Sequence, residues 1–241
     1  LSDLNTVLDF TDGKVTATLN TIGASSIDTT DKFKGAATDD ITIVLSNDAN
    51  TTAADLNFVD SKTAVDVDAT NQTTLVVADT GEAATLMGNV ATDTSGTVKW
   101  DTDFVATVTD TTAGASDINT INGKTTSTVA VTGDGSDLTI SGLGTDFDTL
   151  LSAKSNGELT LLGSYKAVVG TVDANSLEAI DASTTGAVYS TDLVDNHLTL
   201  KNMDQTLLLS QINGTVTGGG SSKVTATGGA NADTFDYTSI A

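Results

Sequence analysis

The residues best placed to do chemistry lie near the end of the chain, at positions 228–236. They read Gly-Gly-Ala-Asn-Ala-Asp-Thr-Phe-Asp, which matches the nonapeptide pattern G-G-x-G-x-D-x-U-x except for Asn in place of the third glycine. Such a turn aims backbone carbonyls and a carboxylate at Ca²⁺, which takes six to eight oxygens. Asn, like Gly, enters left-handed turns. The predicted calcium ligands are Gly229, Asn231, Asp233 and Asp236.

A calcium ion in this kind of repeat lies between two successive turns, so a second turn is needed. Nine residues earlier, Gly219 and Gly220 are in frame, but Val224 stands where the Asp is required. Only half of the site is therefore visible, and we expect its partner turn beyond residue 241.

The same nine-residue spacing occurs in the middle of the chain, where 133–137 and 142–146 both read Gly-x-Gly-x-Asp. Two Asp-bearing turns in tandem predict a second calcium site. An apolar residue follows each Asp directly, whereas the nonapeptide places it one residue later, so a pair of ordinary turns is the alternative. The predicted ligands of this site are Gly135, Asp137, Gly144 and Asp146.

Catalytic groups are scarce. His197 is the only histidine, and no cysteine or second histidine completes a zinc set. No G-x-S-x-G segment frames a nucleophilic serine. The closely spaced acids Asp146 and Asp148 are a possible glycosidase pair, but Trp100 is the only tryptophan available as a sugar platform. We therefore expect no enzymatic activity.

Charge and composition restrict the partners of this 241-residue chain. It carries 32 acidic against 10 basic residues, all of them Lys, for a net charge of -22. A surface so negative repels nucleic acid and anionic membranes and favours cations. The chain has no Cys, which is compatible with export without disulfides. No apolar run approaches the 18 or so residues that span a bilayer, so no transmembrane segment is expected.

Short β-branched runs bounded by Gly, Asn, Asp or Ser recur along the chain, such as ITIVLS at 41–46 and KVTATGG at 223–229. Only 4% of the residues are aromatic, which favours thin stacked layers over a wide core. The predicted fold is all-β: a parallel β-solenoid, β-helix- or β-roll-like, with short strands and irregular loops. At most one or two short helices are expected, the best at 145–154.

Internal repeats support a stacked architecture. Similar segments of the type Asp-Leu-Asn-x-Val begin at Asp3, Asp55, Asp117 and Ser176, at unequal intervals. In each copy an aliphatic residue follows eight positions after the last one. Stacked units of this kind bury their faces on each other. The residues predicted to point inward are Val7, Val15, Val59, Val67, Ile121, Val129, Ile180 and Val188.

The nonapeptide at 228–236, the repeats, the absence of Cys and the lysine-only basic residues together resemble the surface-layer and RTX-type proteins that Gram-negative bacteria export by type I secretion. The resemblance implies calcium-driven folding outside the cell. It also implies a C-terminal secretion signal not contained here, and assembly into a coat or adhesive filament. Because residue 1 is Leu and no leader peptide follows it, we expect a fragment of a longer protein.

The expected organisation is a repeat-containing β-solenoid at 1–217 and the start of an RTX-like calcium-binding β-roll at 218–241. The expected function is structural: a secreted, cell-surface component of a bacterial surface layer, with calcium-dependent folding and self-assembly of identical subunits. The alternative is a ligand-binding adhesin module that attaches the cell to glycans or surfaces, with cell-surface polysaccharide as its partner. Ice binding by Thr-x-Thr arrays is a third possibility, which unequal repeat lengths disfavour.

Overall fold

The computed structural model describes residues 1–27, 33–89, 98–135, 137–193, 197–199, 206–212, 215–217, 223–228 and 234–236. Within these ranges, side chains are described as far as residue 190, except at residues 88, 89 and 174. The α-helices are α1 (Ser2–Asp9), α2 (Ala53–Asp60), α3 (Thr80–Asn89), α4 (Ala115–Asn122), α5 (Gly144–Ser155) and α6 (Ala174–Ser183), with a 3₁₀ helix at Ala24–Ser26. The strands, in chain order, are β1 (Thr16–Ile22), β2 (Asp40–Leu45), β3 (Val67–Ala69), β4 (Thr74–Val77), β5 (Val98–Trp100), β6 (Val105–Val108), β7 (Thr112–Gly114), β8 (Val129–Val131), β9 (Thr139–Gly142), β10 (Leu159–Leu161), β11 (Lys166–Val172), β12 (Val188–Leu193), β13 (His197–Thr199), β14 (Thr206–Ile212), β15 (Thr215–Thr217), β16 (Lys223–Gly228) and β17 (Thr234–Asp236).

The fold is mixed α/β, so the prediction of an all-β solenoid with one or two helices is wrong. The helix expected at 145–154 is present as α5, but five further α-helices accompany it in the described residues. The four similar segments, at 3–7, 55–59, 117–121 and 176–180, lie within α1, α2, α4 and α6. Their aliphatic residues stand three apart, as in the fully buried pair Leu56 and Val59. That spacing follows one face of a helix, whereas a strand face repeats every second residue.

Side-chain caps define where several of these helices begin. At α2, Thr52 accepts a hydrogen bond from the Asp55 amide at 3.1 Å, and the Asp55 carboxylate accepts one from the Thr52 amide at 2.7 Å. This reciprocal arrangement is a capping box. At α6, Asp173 accepts from the Ser176 amide at 2.8 Å. Such caps satisfy amide groups that have no partner within the helix.

The chain forms two units, which are described separately. The first comprises Leu1–Thr109 and Thr120–Val129. In it, β1, β2, β3 and β5 form a sheet in that order, and β4 pairs with β6. The second unit comprises Asp110–Asn119 and Ala130–Ala241. It contains a six-stranded sheet of order β16-β14-β12-β11-β9-β7, the neighbours β8 and β10, and a sheet of order β13-β15-β17. Every pairing whose register is described is parallel.

The sequence distance between paired strands changes along the chain. In the first unit Thr74 pairs with Val105, and α3 lies between these two strands. From β12 onward the paired residues are closer in sequence, as in Leu207 with Val224, and no helix intervenes among the described residues. These last strands alternate between two sheets. In its described residues, the C-terminal part therefore follows a shorter repeat without helices.

Burial confirms most of the inward positions predicted from the repeats. Seven of the eight aliphatic side chains are buried, and only Val7, at 52% exposure, is not. The buried ones are Val15, Val59, Val67, Ile121, Val129, Ile180 and Val188. Val7 belongs to α1, which buries none of its residues. The packing interpretation of the repeat is correct, although its secondary structure was not.

The structural repeat is also shorter than the sequence comparison indicated. The helices begin at positions 2, 24, 53, 80, 115, 144 and 174, and all but the first share one pattern. The pattern is a small residue, two variable positions and then a buried apolar residue in the first turn. The buried apolar residues are Ile27, Leu56, Ala83, Ile118, Phe147 and Leu177. Each interval between the four similar segments thus spans two structural units.

Candidate functional site

The C-terminal nonapeptide is largely beyond what the structure describes. Gly229, Asn231 and Asp233 lie outside the described residues, and Asp236 is seen only as backbone, at the end of β17. In the described part of this segment, Phe235 is in register with Val216 of β15. The calcium site at these four residues stays a prediction.

The two central turns are described except for residue 136, and they lie at opposite ends of one strand. Gly135 has a positive φ of +95°, as expected of a turn glycine, and Asp137 follows it before β9. Asp146 comes after β9, in the first turn of α5. A four-residue strand separates its two ends by about 13 Å, at roughly 3.3 Å per residue. The structure therefore does not bring the Asp137 and Asp146 carboxylates together.

Each of these carboxylates has a partner within the protein. Asp137 is 63% exposed and pairs with the Lys166 ammonium at 3.2 Å. Asp146 accepts a hydrogen bond from the Leu143 amide at 3.0 Å and so caps α5. A Cβ on Gly144 would lie 2.8 Å from Val172, so this glycine permits close packing of α5 on β11. Among the described residues, no group of three or more His, Cys, Asp or Glu could hold a metal.

A pocket of about 180 Å³, which was not predicted from the sequence, lies at the starts of α5 and α6. Two carboxylates in it share one serine: the Ser176 hydroxyl donates to Asp148 at 2.8 Å, and the Ser176 amide donates to Asp173 at 2.8 Å. The signal for it was present in the cap sequence Asp-Ala-Asn-Ser of α6. The pocket is lined by Gly144, Thr145, Asp148, Thr171, Val172, Asp173 and Ser176.

Other acidic residues also hold the turns that lead from strands into helices. Asp48 follows β2 and accepts hydrogen bonds from the Ser25 hydroxyl and, at 3.0 Å, from the Asn50 amide. These hydrogen bonds, chiefly the one from Ser25, lower the pKa of Asp48. Asp79 follows β4 and accepts from the Glu82 amide at 2.9 Å. These carboxylates are used as turn and helix caps.

Trp100 and His197 were the aromatic and histidine candidates for chemistry, and the structure describes the side chain of Trp100 only. The Trp100 indole donates to the Gln72 carbonyl at 2.9 Å, and its ring lies 4.8 Å from that of Phe104. These contacts give Trp100 a packing role. His197 begins β13, where only the backbone is described.

Asp60 differs from the other carboxylates. It is the last residue of α2, and burial together with the negative charge of Asp66 raises its pKa to about 6. Its Oδ1 is buried without a hydrogen-bond partner. Asp66 itself pairs with Lys99 at 2.9 Å. The C-terminal end of a helix also disfavours negative charge, so Asp60 destabilises the fold when it is ionised.

Asp60→Asn is expected to stabilise the protein at pH 8 by about 1 kcal/mol. A shift of two pKa units corresponds to about 3 kcal/mol, which solvent screening reduces for a half-buried group. Because the folded pKa lies above the unfolded value, the wild type loses stability as pH rises from about 4 to about 6, and the variant should lose less. Urea unfolding at pH 4 and 8 measures this, with the exposed Asp12→Asn as control. Equal pH dependence in wild type and Asp60→Asn would contradict it.

Comparison of the chain with protein-family models, with curated proteins and with solved structures found no match. Within the described part of the chain, no helix has the length and apolar character needed to cross a membrane.

Proposed function

We propose that this chain is a structural component of a secreted bacterial surface layer, whose C-terminal part folds around Ca²⁺ and whose copies assemble with one another at the cell surface. One observation carries the proposal. From β12 onward, strands alternate between two sheets, and each pairs with the next but one, as in Leu207 with Val224 and Thr215 with Thr234. Two consecutive calcium-binding nonapeptides cover a similar distance of about 18 residues, and 228–236 matches that nonapeptide except at Asn231.

The net negative charge of the chain explains why a bound cation would stabilise the folded protein. A chain with a net charge of -22 repels itself when it is compact. The described acidic residues compensate part of this repulsion by accepting backbone hydrogen bonds, as Asp48 and Asp146 do. Each bound Ca²⁺ removes two further units of charge. Millimolar calcium outside the cell would then favour the folded, assembled form.

A second candidate function, an adhesin module that binds glycans, is favoured by the pocket at the starts of α5 and α6. Its lining combines hydroxyl groups with the carboxylates of Asp148 and Asp173, and such groups hydrogen-bond sugars. Measured binding of soluble surface polysaccharide, lost in Asp148→Ala, would favour this function over the structural one.

Asp233→Ala tests the calcium proposal. Calcium at one hundred times its dissociation constant stabilises a folded site by about 2.7 kcal/mol. If loss of this one ligand weakens binding tenfold, about 1.4 kcal/mol of that stabilisation disappears. We therefore expect a lower melting temperature than wild type in millimolar calcium and the same melting temperature in EGTA.

Two matched variants sharpen this measurement. Asp137→Ala and Asp146→Ala change the described central turns, where each carboxylate has a protein partner. Their effects should be the same in calcium and in EGTA, because a cap or an ion pair acts without the metal. Identical melting curves of the wild type in calcium and in EGTA would remove the support for the calcium proposal.

A further inference from the structure

Three threonines hold the same place in the chain, between the end of a helix and the start of a strand. Thr63 follows α2, Thr125 follows α4 and Thr184 follows α6. Each stands four residues before the buried valine that begins the next strand. These valines are Val67, Val129 and Val188. The threonines therefore recur at the same intervals as the last three similar segments of the sequence.

The Thr63 hydroxyl takes the place of a peptide group beside β2. It accepts a hydrogen bond from the Ile41 amide at 3.1 Å and donates one to the Ile41 carbonyl at 2.8 Å. It also accepts from the Val65 amide at 3.2 Å, so the single donor and both acceptor positions of the hydroxyl are used. In a parallel ladder the two Ile41 groups would bond to the backbone of the neighbouring strand. Because β3 begins only at Val67, the side chain extends the ladder ahead of the strand.

The other two threonines make the corresponding bonds. Thr125 donates to the Phe104 carbonyl at 2.5 Å, and Thr184 donates to the Tyr165 carbonyl. Each also accepts from the amide two residues further on, at 3.0 Å in both cases. Phe104 and Tyr165 are buried, as Ile41 is. One kind of contact thus joins each of these helix–strand connections to the segment that precedes the helix.

The offset between the threonine and the strand register is constant where the register is described. At the first threonine, the carbonyl partner lies two residues before Ile43, which pairs with Val67. At the third, the carbonyl partner lies two residues before Ala167, which pairs with Val188. A strand that slipped along its neighbour would therefore lose the threonine bond.

The apolar pattern alone leaves the register of these strands open. The fully buried side chains of β2 are Ile41, Ile43 and Leu45, and those of β3 are Val67 and Ala69. A slip by one residue turns every side chain of a strand to the other face, but a slip by two keeps the apolar residues inside. A contact that is specific to one register must choose between registers two residues apart.

We propose that Thr63, Thr125 and Thr184 set the register in which each following strand pairs, through the hydroxyl that bonds to the preceding segment. This role is independent of calcium and of assembly at the cell surface. Threonine suits it because a β-branched side chain is restricted about χ1, which fixes the direction of the hydroxyl. Valine has nearly the same shape without the hydroxyl, and serine keeps the hydroxyl, so these two substitutions separate the bond from the packing.

Disulfide formation between introduced cysteines measures the register, because the chain has no cysteine of its own. Val44 pairs with Asp68, so Val44→Cys and Asp68→Cys lie about 4.8 Å apart on neighbouring strands, within the range of a disulfide. Thr42→Cys or Ser46→Cys, each combined with Asp68→Cys, is two residues out of register and reports a slipped strand. Each pair is made in the full chain, with and without Thr63→Val.

We expect Thr63→Val to raise the rate of disulfide formation in the slipped pairs about tenfold relative to the native pair, which is the effect of losing about one hydrogen bond. Thr63→Ser should leave this ratio unchanged. Thr11→Val is the matched control. Thr11 stands four residues before Val15 and accepts from the Gly13 amide at 3.0 Å, but its hydroxyl makes no hydrogen bond to a strand among the described residues. Thr11→Val should therefore leave the ratio unchanged as well.

An unchanged ratio in Thr63→Val would overturn the role, even with a lower melting temperature, because a hydrogen bond that only stabilises the fold does not move the register. An equal rise in Thr11→Val would overturn it too.

Thr184→Val gives a second test, between β11 and β12. Val168→Cys with Tyr189→Cys is the native pair, and Lys166→Cys with Tyr189→Cys is the slipped pair. This variant decides the matter if Thr63→Val does not fold. A ratio of slipped to native disulfide that stays at the wild-type value in Thr184→Val would count against the role in the same way.

Discussion

Phe147→Ala is expected to lower the free energy of unfolding by about 3 to 5 kcal/mol. The Phe147 side chain is fully buried in the first turn of α5, a helix that packs on β10, β11 and α6. Its removal takes away a large apolar group and leaves a cavity, because a packed interior relaxes only in part. Since proteins hold about 5 to 15 kcal/mol in total, this loss removes a substantial share of the stability of the fold.

Leu143→Ala is the matched control for Phe147→Ala. Leu143 immediately precedes α5 but is 52% exposed, and substitutions at such sites usually change stability by no more than about 0.5 kcal/mol. Urea unfolding followed by circular dichroism measures both variants. If the two lose similar amounts of stability, Phe147 is not the core residue that its burial indicates.

Gly186→Ala is expected to cost about 3 kcal/mol, at the upper end of what overpacking usually costs. A Cβ on Gly186 would lie 2.1 Å from the Tyr165 carbonyl oxygen and 2.6 Å from that of Ser164. Both atoms are backbone, so no side chain can rotate away. The displacement falls where the β11–β12 ladder begins, at the 3.0 Å hydrogen bond from the Ala167 amide to the Ala187 carbonyl.

Gly163→Ala is the control for Gly186→Ala, because no atom lies within 4 Å of the added Cβ and Gly163 has no positive φ. It should be neutral, or slightly stabilising through the lower entropy of the unfolded chain. Melting temperatures of the two variants make the comparison. An unchanged melting temperature for Gly186→Ala would mean that the chain passes Tyr165 at a greater distance than described.

The strands were the part of the fold that the sequence predicted well. ITIVLS at 41–46 forms β2, and KVTATG forms β16, because short β-branched runs between turn residues suit a pleated surface. Helices were missed where their first turn contains Asp, Asn or Thr, which are weak helix formers. At α2 and α4 the buried pairs Leu56 with Val59 and Ile118 with Ile121 outweigh that weak propensity.

The sequence alone could not show whether the central turns bind calcium, because a carboxylate in a turn can bind a cation or cap a helix. Asp146 in Gly-Leu-Gly-Thr-Asp fits a calcium turn, yet in the structure it caps α5. Backbone amides and Ca²⁺ are both attracted to carboxylate oxygens, so a turn motif alone does not choose between them. The choice depends on where the second turn lies, which here is the far end of β9.

The short distance between paired strands has a consequence for how the protein folds. Every pairing with a described register joins near neighbours in the chain, from close pairs such as Leu207 with Val224 to wider ones such as Thr74 with Val105. Because a doubling of loop length adds only about 0.6 kcal/mol to the entropy of closure, each pairing closes a loop at nearly the same cost. None of the strands in these pairings has to wait for a partner from the far end of the chain. A polypeptide emerging from a ribosome or a narrow export channel could therefore fold one repeat at a time, each on the repeat that emerged just before it.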